Sequence, residues 1–155
     1  MKHWLLKSEP GTFSIDDLAA SPRQTTRWDG VRNYQARNFI RDEMKKGDLA
    51  FFYHSSCPEP GIVGIVEITR EAYPDETAFD RRDEHFDPKS ERSNSRWYVV
   101  DVRLKRKLEK PLALVKLKQY AGDRLSDLRL LKRGNRLSVI PVSSENWRFI
   151  LSLER

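Results

Sequence analysis

The chain of 155 residues carries 29 Lys and Arg against 23 Asp and Glu, which gives a formal net charge of +6. This length is close to that of one domain, so we expect a single domain over residues 1–155. No apolar run reaches the roughly 20 residues of a membrane helix, which predicts no membrane partner. A lone cysteine, Cys57, excludes an intramolecular disulfide and, without a signal-peptide pattern, favours a cytoplasmic location.

The N-terminal sequence predicts a strand, a capped helix and a loop. Residues 3–7 predict a strand, which ends at Lys7 because proline and glycine follow within four residues. Ser14 and Asp17 have the spacing of a capping box, which indicates a short helix. Residues 20–27 are mostly polar and predict a loop.

A longer helix, a hairpin and a long loop are predicted next. Asn33 is a suitable N-cap for a helix whose apolar residues recur at helical spacing as far as Met44. Strands over residues 49–54 and 62–69 are expected to pair as a hairpin. Residues 73–96 are polar and contain proline, which predicts a long loop of the kind that is often functional.

The C-terminal half predicts two more strands and two helices. A fourth strand begins at Trp97. Its alternation assigns one set of side chains to the core: Tyr98, Val100, Val102 and Leu104. A helix over 112–120, a short strand over 137–140 and a closing helix over 143–153 complete the chain. Five short strands with peripheral helices, in no regular alternation, predict an α+β fold around a small curved sheet or pseudo-barrel.

The least ordinary segment is residues 28–33, where an aromatic residue precedes a glycine turn that enters a helix. Trp28 offers a flat surface for a base, and Arg32 is able to form a charge-assisted bond to phosphate. Backbone amides at such a turn also favour anions. The alternative interpretation places Trp28 in the core and Arg32 in a surface ion pair.

The strand end at residues 51–56 has two interpretations as well. Its alternation separates Phe52 and His54 from Phe51, Tyr53 and Ser55. An aromatic side chain that does not pack against the sheet would line a cavity, where His54 or Ser55 would bond a base edge. Purely structural aromatic residues are the alternative.

Motifs in order along nearly the whole chain resemble those of the EVE family. They are WLLKSEP (4–10), WDGVRN (28–33), FYHS (52–55), GIVGI (61–65), AYPD (72–75), TAFD (77–80), DPKS (87–90), RWY (96–98), RLSV (136–139) and PV (141–142). The resemblance implies a PUA-like fold, similar to that of YTH domains. It also implies a concave pocket for a flipped or single-stranded base that carries a methyl or hydroxymethyl group.

The resemblance further implies which residues line this pocket. Trp28 corresponds to an aromatic wall, the turn from Gly30 to Asn33 places amides and the Asn33 side chain against the base, and Lys7 and Ser8 close one edge. The complete ligand-binding set is Lys7, Ser8, Trp28, Gly30, Val31, Arg32, Asn33, Phe52, His54, Ser55, Phe79 and Trp97. No motif identifies a second aromatic wall, because Tyr73, Phe79 and Phe86 compete for that place.

The implied partner is DNA or RNA that contains methylated or hydroxymethylated cytosine or methylated adenine. Recognition would need no catalysis, no cofactor and no metal. Affinity for the backbone would come from one of two basic groups and would weaken with salt. These groups are Arg23, Arg27, Arg32, Arg37 and Arg41 around the pocket, or the run from Arg103 to Lys107.

Two other function classes remain open from the sequence. His54 beside Ser55 suggests a hydrolase, but neighbouring strand residues point to opposite faces, so His54 is badly placed to activate Ser55. The three histidines also lack metal-ligand spacing. A small-molecule or protein-interaction module on the same fold is the main alternative, and salt-independent ligand binding would favour it.

Overall fold

The computed structural model describes residues 1–154, and its centre is one six-stranded sheet. The strands are β1 (His3–Ser8), β2 (Thr25–Arg27), β3 (Leu49–His54), β4 (Gly61–Pro74), β5 (Tyr98–Ala113) and β6 (Val139–Val142). Their order in the sheet is β2-β5-β4-β3-β1-β6. β1 and β3 pair in parallel, whereas the other neighbours are antiparallel. This mixed α+β architecture is the predicted one, with six strands in place of about five.

The strand that the sequence did not predict is β2, which lies within the expected loop 20–27. It has three residues and pairs with β5 at the edge of the sheet, with Thr26 opposite Val102. A strand of this length has no alternation to detect, and it forms because β5 offers backbone partners. Its position matters because the chain leaves the sheet directly into Trp28.

Four short α-helices surround the sheet: α1 (Ile15–Ala20), α2 (Tyr34–Asn38), α3 (Leu114–Lys118) and α4 (Ser144–Ser152). The capping box is confirmed, since Ser14 Oγ accepts from the Asp17 amide at 3.1 Å and Asp17 Oδ2 accepts from the Ser14 amide at 2.8 Å. Asn33 caps α2 through a 3.0 Å bond from Ala36, and a π-helical turn, Phe39–Glu43, follows α2. Among residues 1–154, no helix is long and apolar enough to span a bilayer.

β5 differs most from its prediction. It begins one residue after Trp97 and continues to Ala113, so the helix expected over 112–120 is reduced to α3. Val99 and Val100 are both fully buried, which a simple alternation of core and solvent faces does not allow. Val100 belongs to the main hydrophobic core, whereas Val99 is buried outside that core, so both faces of β5 are covered at this point.

The sheet is covered on both faces at β3. Phe51 stacks on Trp147 of α4, with ring centres 3.9 Å apart, and Phe52 forms a T-shaped contact with Trp28, with ring centres 5.4 Å apart. Both phenylalanines are fully buried. The end of β1 and the segment that follows β2 are therefore held over a rigid core.

Candidate functional site

A cavity of ≈ 900 Å³ opens between the end of β1, the segment after β2 and part of the long loop between β4 and β5. Its walls are Lys7 to Glu9, Thr12, Phe13, Thr26 to Asn33, Arg82 to His85, and Ser138. Pockets of this size hold small ligands or parts of larger ones. The segment from Thr26 to Asn33 contributes the longest continuous part of the wall.

The structure brings seven of the twelve expected site residues to this cavity. They are Lys7, Ser8, Trp28, Gly30, Val31, Arg32 and Asn33. Trp28 is only 7% exposed, and its amide donates to Val100 O at 2.8 Å. Trp28 therefore packs in the core, as the alternative interpretation expects, and it also contributes to the cavity wall.

Three expected site residues at the end of β3 do not line the cavity. Phe52 is fully buried in a T-shaped contact with Trp28. His54 lies near α1, where its Nε2 accepts a 3.1 Å bond from the Ile15 amide. Ser55 follows β3 and contributes no surface to the cavity wall. The sheet packing that covers both faces of β3 accounts for this placement.

The two remaining expected residues, Phe79 and Trp97, also lie elsewhere. Trp97 stacks on Tyr34 with ring centres 4.9 Å apart, and its indole N–H donates to Asp87 at 2.6 Å. Phe79 packs against the guanidinium of Arg92, 4.8 Å from the ring centre. Both side chains hold the long loop in place and do not face the cavity.

Arg32 makes five hydrogen bonds within the protein, and this corrects its expected role. Its Nε and Nη2 donate to His85 O at 3.0 and 2.7 Å, and Nη2 also donates to Thr77 Oγ1 at 3.1 Å. Its Nη1 donates to Asp75 Oδ2 and to Val31 O, both at 3.0 Å. A guanidinium has five N–H donors, so Arg32 has none left for phosphate. It joins the turn after β2 to the long loop.

Asp75 is the centre of this arrangement, which we call the Asp75 cluster: Asp75, Arg32, Thr77 and the Gly30 amide. Asp75 is fully buried. Its Oδ2 accepts from Gly30 at 2.9 Å and from Arg32, while Oδ1 accepts from the Thr77 amide and hydroxyl at 2.9 and 2.6 Å. Burial alone would raise the pKa of Asp75, but the bonds from Thr77, Gly30 and Arg32 outweigh burial and lower it.

His85 provides a second ring at the cavity, which the sequence interpretation missed. Gly30 has a φ of +77°, and a Cβ atom there would lie 2.7 Å from His85 Nε2. The ring is thus directly against the glycine, and its Nδ1 lies 3.1 Å from Asp83 Oδ1. Tyr73, Phe79 and Phe86, the aromatic residues that competed for this place, are absent from the cavity wall.

Some charged residues in the cavity wall have an ion-pair partner among the described residues, whereas Lys7 has none. Arg27 and Asp29, both in its wall, form an ion pair at 3.4 Å, and burial followed by repulsion from Asp75 raises the pKa of Asp29. Lys7 is half-buried, and burial lowers its pKa. Its ammonium group forms no ion pair with any of residues 1–154. A desolvated ammonium without a carboxylate is well suited to an anionic ligand.

Most of the basic residues expected to contact phosphate have partners in the protein. The pairs are Arg37 with Arg96 O, Arg41 with Asp42, Arg103 with Glu67, Arg106 with Glu154, and Lys107 with Asp16. Phosphate would have to displace these partners. In the part of the chain that the structure describes, no three His, Cys, Asp or Glu side chains are grouped so as to hold a metal ion.

The fold and the cavity define an EVE domain: the sequence model of that family matches residues 2–153, and the chain belongs to the EVE family. Thymocyte nuclear protein 1 of Homo sapiens is 48% identical over 98% of this chain and 73% of its own length. The solved structure of human THYN1 in complex with 5-methylcytosine containing DNA has a TM-score of 0.95 and 48% identity, over 100% of this chain and 98% of that one.

A more distant likeness concerns the fold alone. The YTH domain of Zygosaccharomyces rouxii MRB1, solved in complex with N6-methyladenosine RNA, has a TM-score of 0.54 at 14% identity. It covers 98% of this chain and 85% of that one. The expected EVE membership, the PUA-like fold and the structural similarity to YTH domains are therefore confirmed.

The expected cytoplasmic location is wrong, because the human relative is named as a nuclear protein, thymocyte nuclear protein 1. The error has a physical reason. Cysteine is kept reduced in both the cytosol and the nucleus, and the proteins of both compartments lack secretory signal peptides. Neither feature distinguishes the two compartments.

Proposed function

We propose that this protein binds nucleic acid and recognises a modified base in the cavity, without a chemical step. The observation that carries this proposal is the cavity itself, with the rings of Trp28 and His85 and the unpaired Lys7 in its wall. The human relative solved with 5-methylcytosine containing DNA supports it. For this reason 5-methylcytosine in DNA is the first ligand to test, before 5-hydroxymethylcytosine and N6-methyladenine.

The free energy that is lost when a base leaves its stack is similar in size to the free energy that the aromatic contacts return. Removing a base from its stack costs a few kcal/mol, and each aromatic contact returns about 1–3 kcal/mol. One buried methyl group adds about 0.8 kcal/mol, which corresponds to roughly a fourfold preference. We therefore expect the rings and edge hydrogen bonds to supply most of the affinity, and the methyl group a modest selectivity.

Hydrogen-bond donors for the base edge are proposed in the turn after β2. The amides of Val31 and Arg32 and the Asn33 Nδ2 have no acceptor among residues 1–154. The Gly30 amide, by contrast, is held by Asp75. Three donors beside two rings are able to pair with the acceptor atoms of a base.

Recognition without catalysis is consistent with where the hydrolase-like pair lies. His54 and Ser55 are both outside the cavity wall. His54 accepts a bond from the Ile15 amide, and burial lowers the pKa of His54. Its ring has a structural contact at the nitrogen that a general base would use.

The experiment that tests this proposal is oligonucleotide binding by His85→Ala. His85 holds the Asp75 cluster through its backbone carbonyl, so removing the ring leaves that cluster intact. We expect affinity for 5-methylcytosine DNA, measured by fluorescence anisotropy, to fall about 5- to 150-fold, the equivalent of 1–3 kcal/mol.

His54→Ala is the matched control, because it removes the same ring at a position outside the cavity. It should leave the affinity unchanged. Equal binding by wild type and His85→Ala, with no difference between modified and unmodified oligonucleotides, would refute base recognition here. The cavity would then be better assigned to a small molecule or a protein partner.

Lys7→Met gives a prediction in which stability and binding change in opposite directions. The wild-type ammonium is partly desolvated without a carboxylate partner, so a neutral side chain of similar length should unfold at an equal or higher urea concentration. Binding should weaken about 10- to 150-fold, since a hydrogen bond to a charged group contributes about 1.5–3 kcal/mol. Lower stability with unchanged affinity would show that Lys7 has a structural role instead.

A further inference from the structure

A second cleft of ≈ 410 Å³ lies beside the cavity, and its lining is strongly basic. Four cationic residues lie in it: Arg129, Lys132, Arg133 and Arg136, which we call the basic strip. The other lining residues are Asn33, Gln35, Gly134, Asn135 and Leu137, so no acidic side chain is present in the lining. Four like charges within eight residues repel each other and favour the binding of an anion.

The basic strip is continuous with the cavity at two points. Asn33 lines both the cleft and the cavity. Leu137 lines the cleft, and the next residue, Ser138, lines the cavity. The basic strip is therefore within reach of a polymer that has one unit in the cavity.

The cations of the strip differ in their partners from most members of the two basic groups that the sequence suggested. None of the four forms an ion pair with residues 1–154, whereas Arg103 and Arg106 of β5 both do. Arg133 and Arg136 are exposed and make no side-chain hydrogen bond within the same residues. Binding an anion here would not require a carboxylate to be displaced.

A polar group at the floor of the cleft is also without a partner. The side-chain nitrogen of Asn135 is buried and donates no hydrogen bond to the described residues. Such a donor costs about 1–3 kcal/mol when left unsatisfied. Asn135 lies in the cleft lining, so rotation of its side chain would bring this donor to a phosphate oxygen in the cleft.

We propose that the basic strip binds the phosphate backbone of the nucleic-acid strand whose modified base enters the cavity. This inference rests on the proposed function and adds the surface that the strand follows. It replaces both basic groups suggested by the sequence, whose members are largely paired. Phosphate contacts supply affinity that is independent of sequence, so the strip would set affinity and salt dependence while the cavity sets base preference.

The test is the salt dependence of DNA binding by Arg133→Gln/Arg136→Gln. The probes are single-stranded oligonucleotides with 5-methylcytosine or cytosine at one position. Each lost phosphate contact should reduce the slope of log K against log salt concentration by about 0.7, so the double variant should lose about 1.4. Its affinity should fall for both probes by the same factor, so that the ratio between them stays at the wild-type value.

Lys105→Gln/Lys110→Gln is the matched control. It removes two exposed cations of β5 that lie outside the cleft. An unchanged slope in Arg133→Gln/Arg136→Gln, or an equal loss in the control, overturns the role of the strip. Failure of the proposed function has a different signature: wild type would not distinguish the two probes, whatever the slope.

Discussion

Asp75→Asn is expected to lower the free energy of unfolding by about 3–5 kcal/mol, the usual cost of breaking a buried charge pair. The two Asp75 oxygens accept four hydrogen bonds, two each. Asparagine has a single acceptor oxygen, so an NH₂ group would face either Gly30 and Arg32 or the two donors of Thr77. Urea denaturation of both proteins at neutral pH measures the loss.

The same substitution should also impair ligand binding. Arg32 and the Gly30 amide hold the turn after β2 against the long loop, and both lose their acceptor when the introduced NH₂ group faces them. His85 would then no longer be fixed beside Gly30. We expect weaker binding of 5-methylcytosine DNA even at temperatures where the variant remains folded.

The pH dependence of stability follows from the lowered pKa of Asp75. Its ordinary value is 3.8, and the folded value lies below this. The contribution of the ionised Asp75 to the free energy of unfolding is therefore complete well above pH 3.8. This contribution is lost as the pH falls from 3.8 through the lower pKa that Asp75 has in the folded protein. The stability difference between wild type and Asp75→Asn should narrow over that acidic window.

Asp80→Asn serves as the control for this prediction. Asp80 lies in the same loop but is exposed, and it pairs with Arg82 at 3.6 Å. Exposed pairs contribute about 0–1 kcal/mol, so its unfolding free energy should hardly change. Equal effects of the two substitutions would mean that the Asp75 cluster does not hold the loop.

Local signals account for the parts of the fold that the sequence predicts well. The capping box at Ser14 and the N-cap at Asn33 depend on contacts three residues apart, and both are present. β2 was missed because three residues carry no periodicity and its pairing partner, Val102, is 76 positions after Thr26. Strands of this kind are determined by the sheet, not by their own sequence.

The candidate site likewise combines residues that carry a local sequence signal with residues that distant parts of the chain hold in place. The cavity residues that the sequence suggests lie in two short segments that each carry a motif, at Lys7 and at residues 28–33. His85 was missed because it reaches the cavity through Arg32, which contacts its carbonyl across 53 positions. The role of Arg32 was misjudged for the same reason, since a sequence does not reveal which acceptors surround a guanidinium.

Phe52 shows a third reason why the sequence did not predict every position in the site. Alternation along β3 separates two faces but does not tell whether both are covered. Here α4 covers one face through Trp147 and the turn after β2 covers the other through Trp28. An aromatic residue at a motif position was therefore assigned to the cavity although it lies beneath the cavity wall.

Gly30→Ala is expected to damage both stability and binding. A φ of +77° is strained for alanine and costs about 1–2 kcal/mol. The new Cβ would also meet the ring atoms of His85 at 2.7 to 3.0 Å, so this ring would have to turn away, which adds to the cost. The displaced ring would leave its place beside the base, so affinity for 5-methylcytosine DNA should fall at least about fivefold.

Two comparisons separate the steric part of this effect from the backbone part. Gly134 has a φ of +78° with no atom near its added Cβ, so Gly134→Ala carries the strain without a clash. In a His85→Ala background, Gly30→Ala should then cost no more than Gly134→Ala does, because the obstructing ring is gone. If Gly30→Ala is equally harmful with and without the His85 ring, contact between these two residues does not shape the cavity. The second ring of the site would then have to be sought elsewhere in its wall, at Phe13.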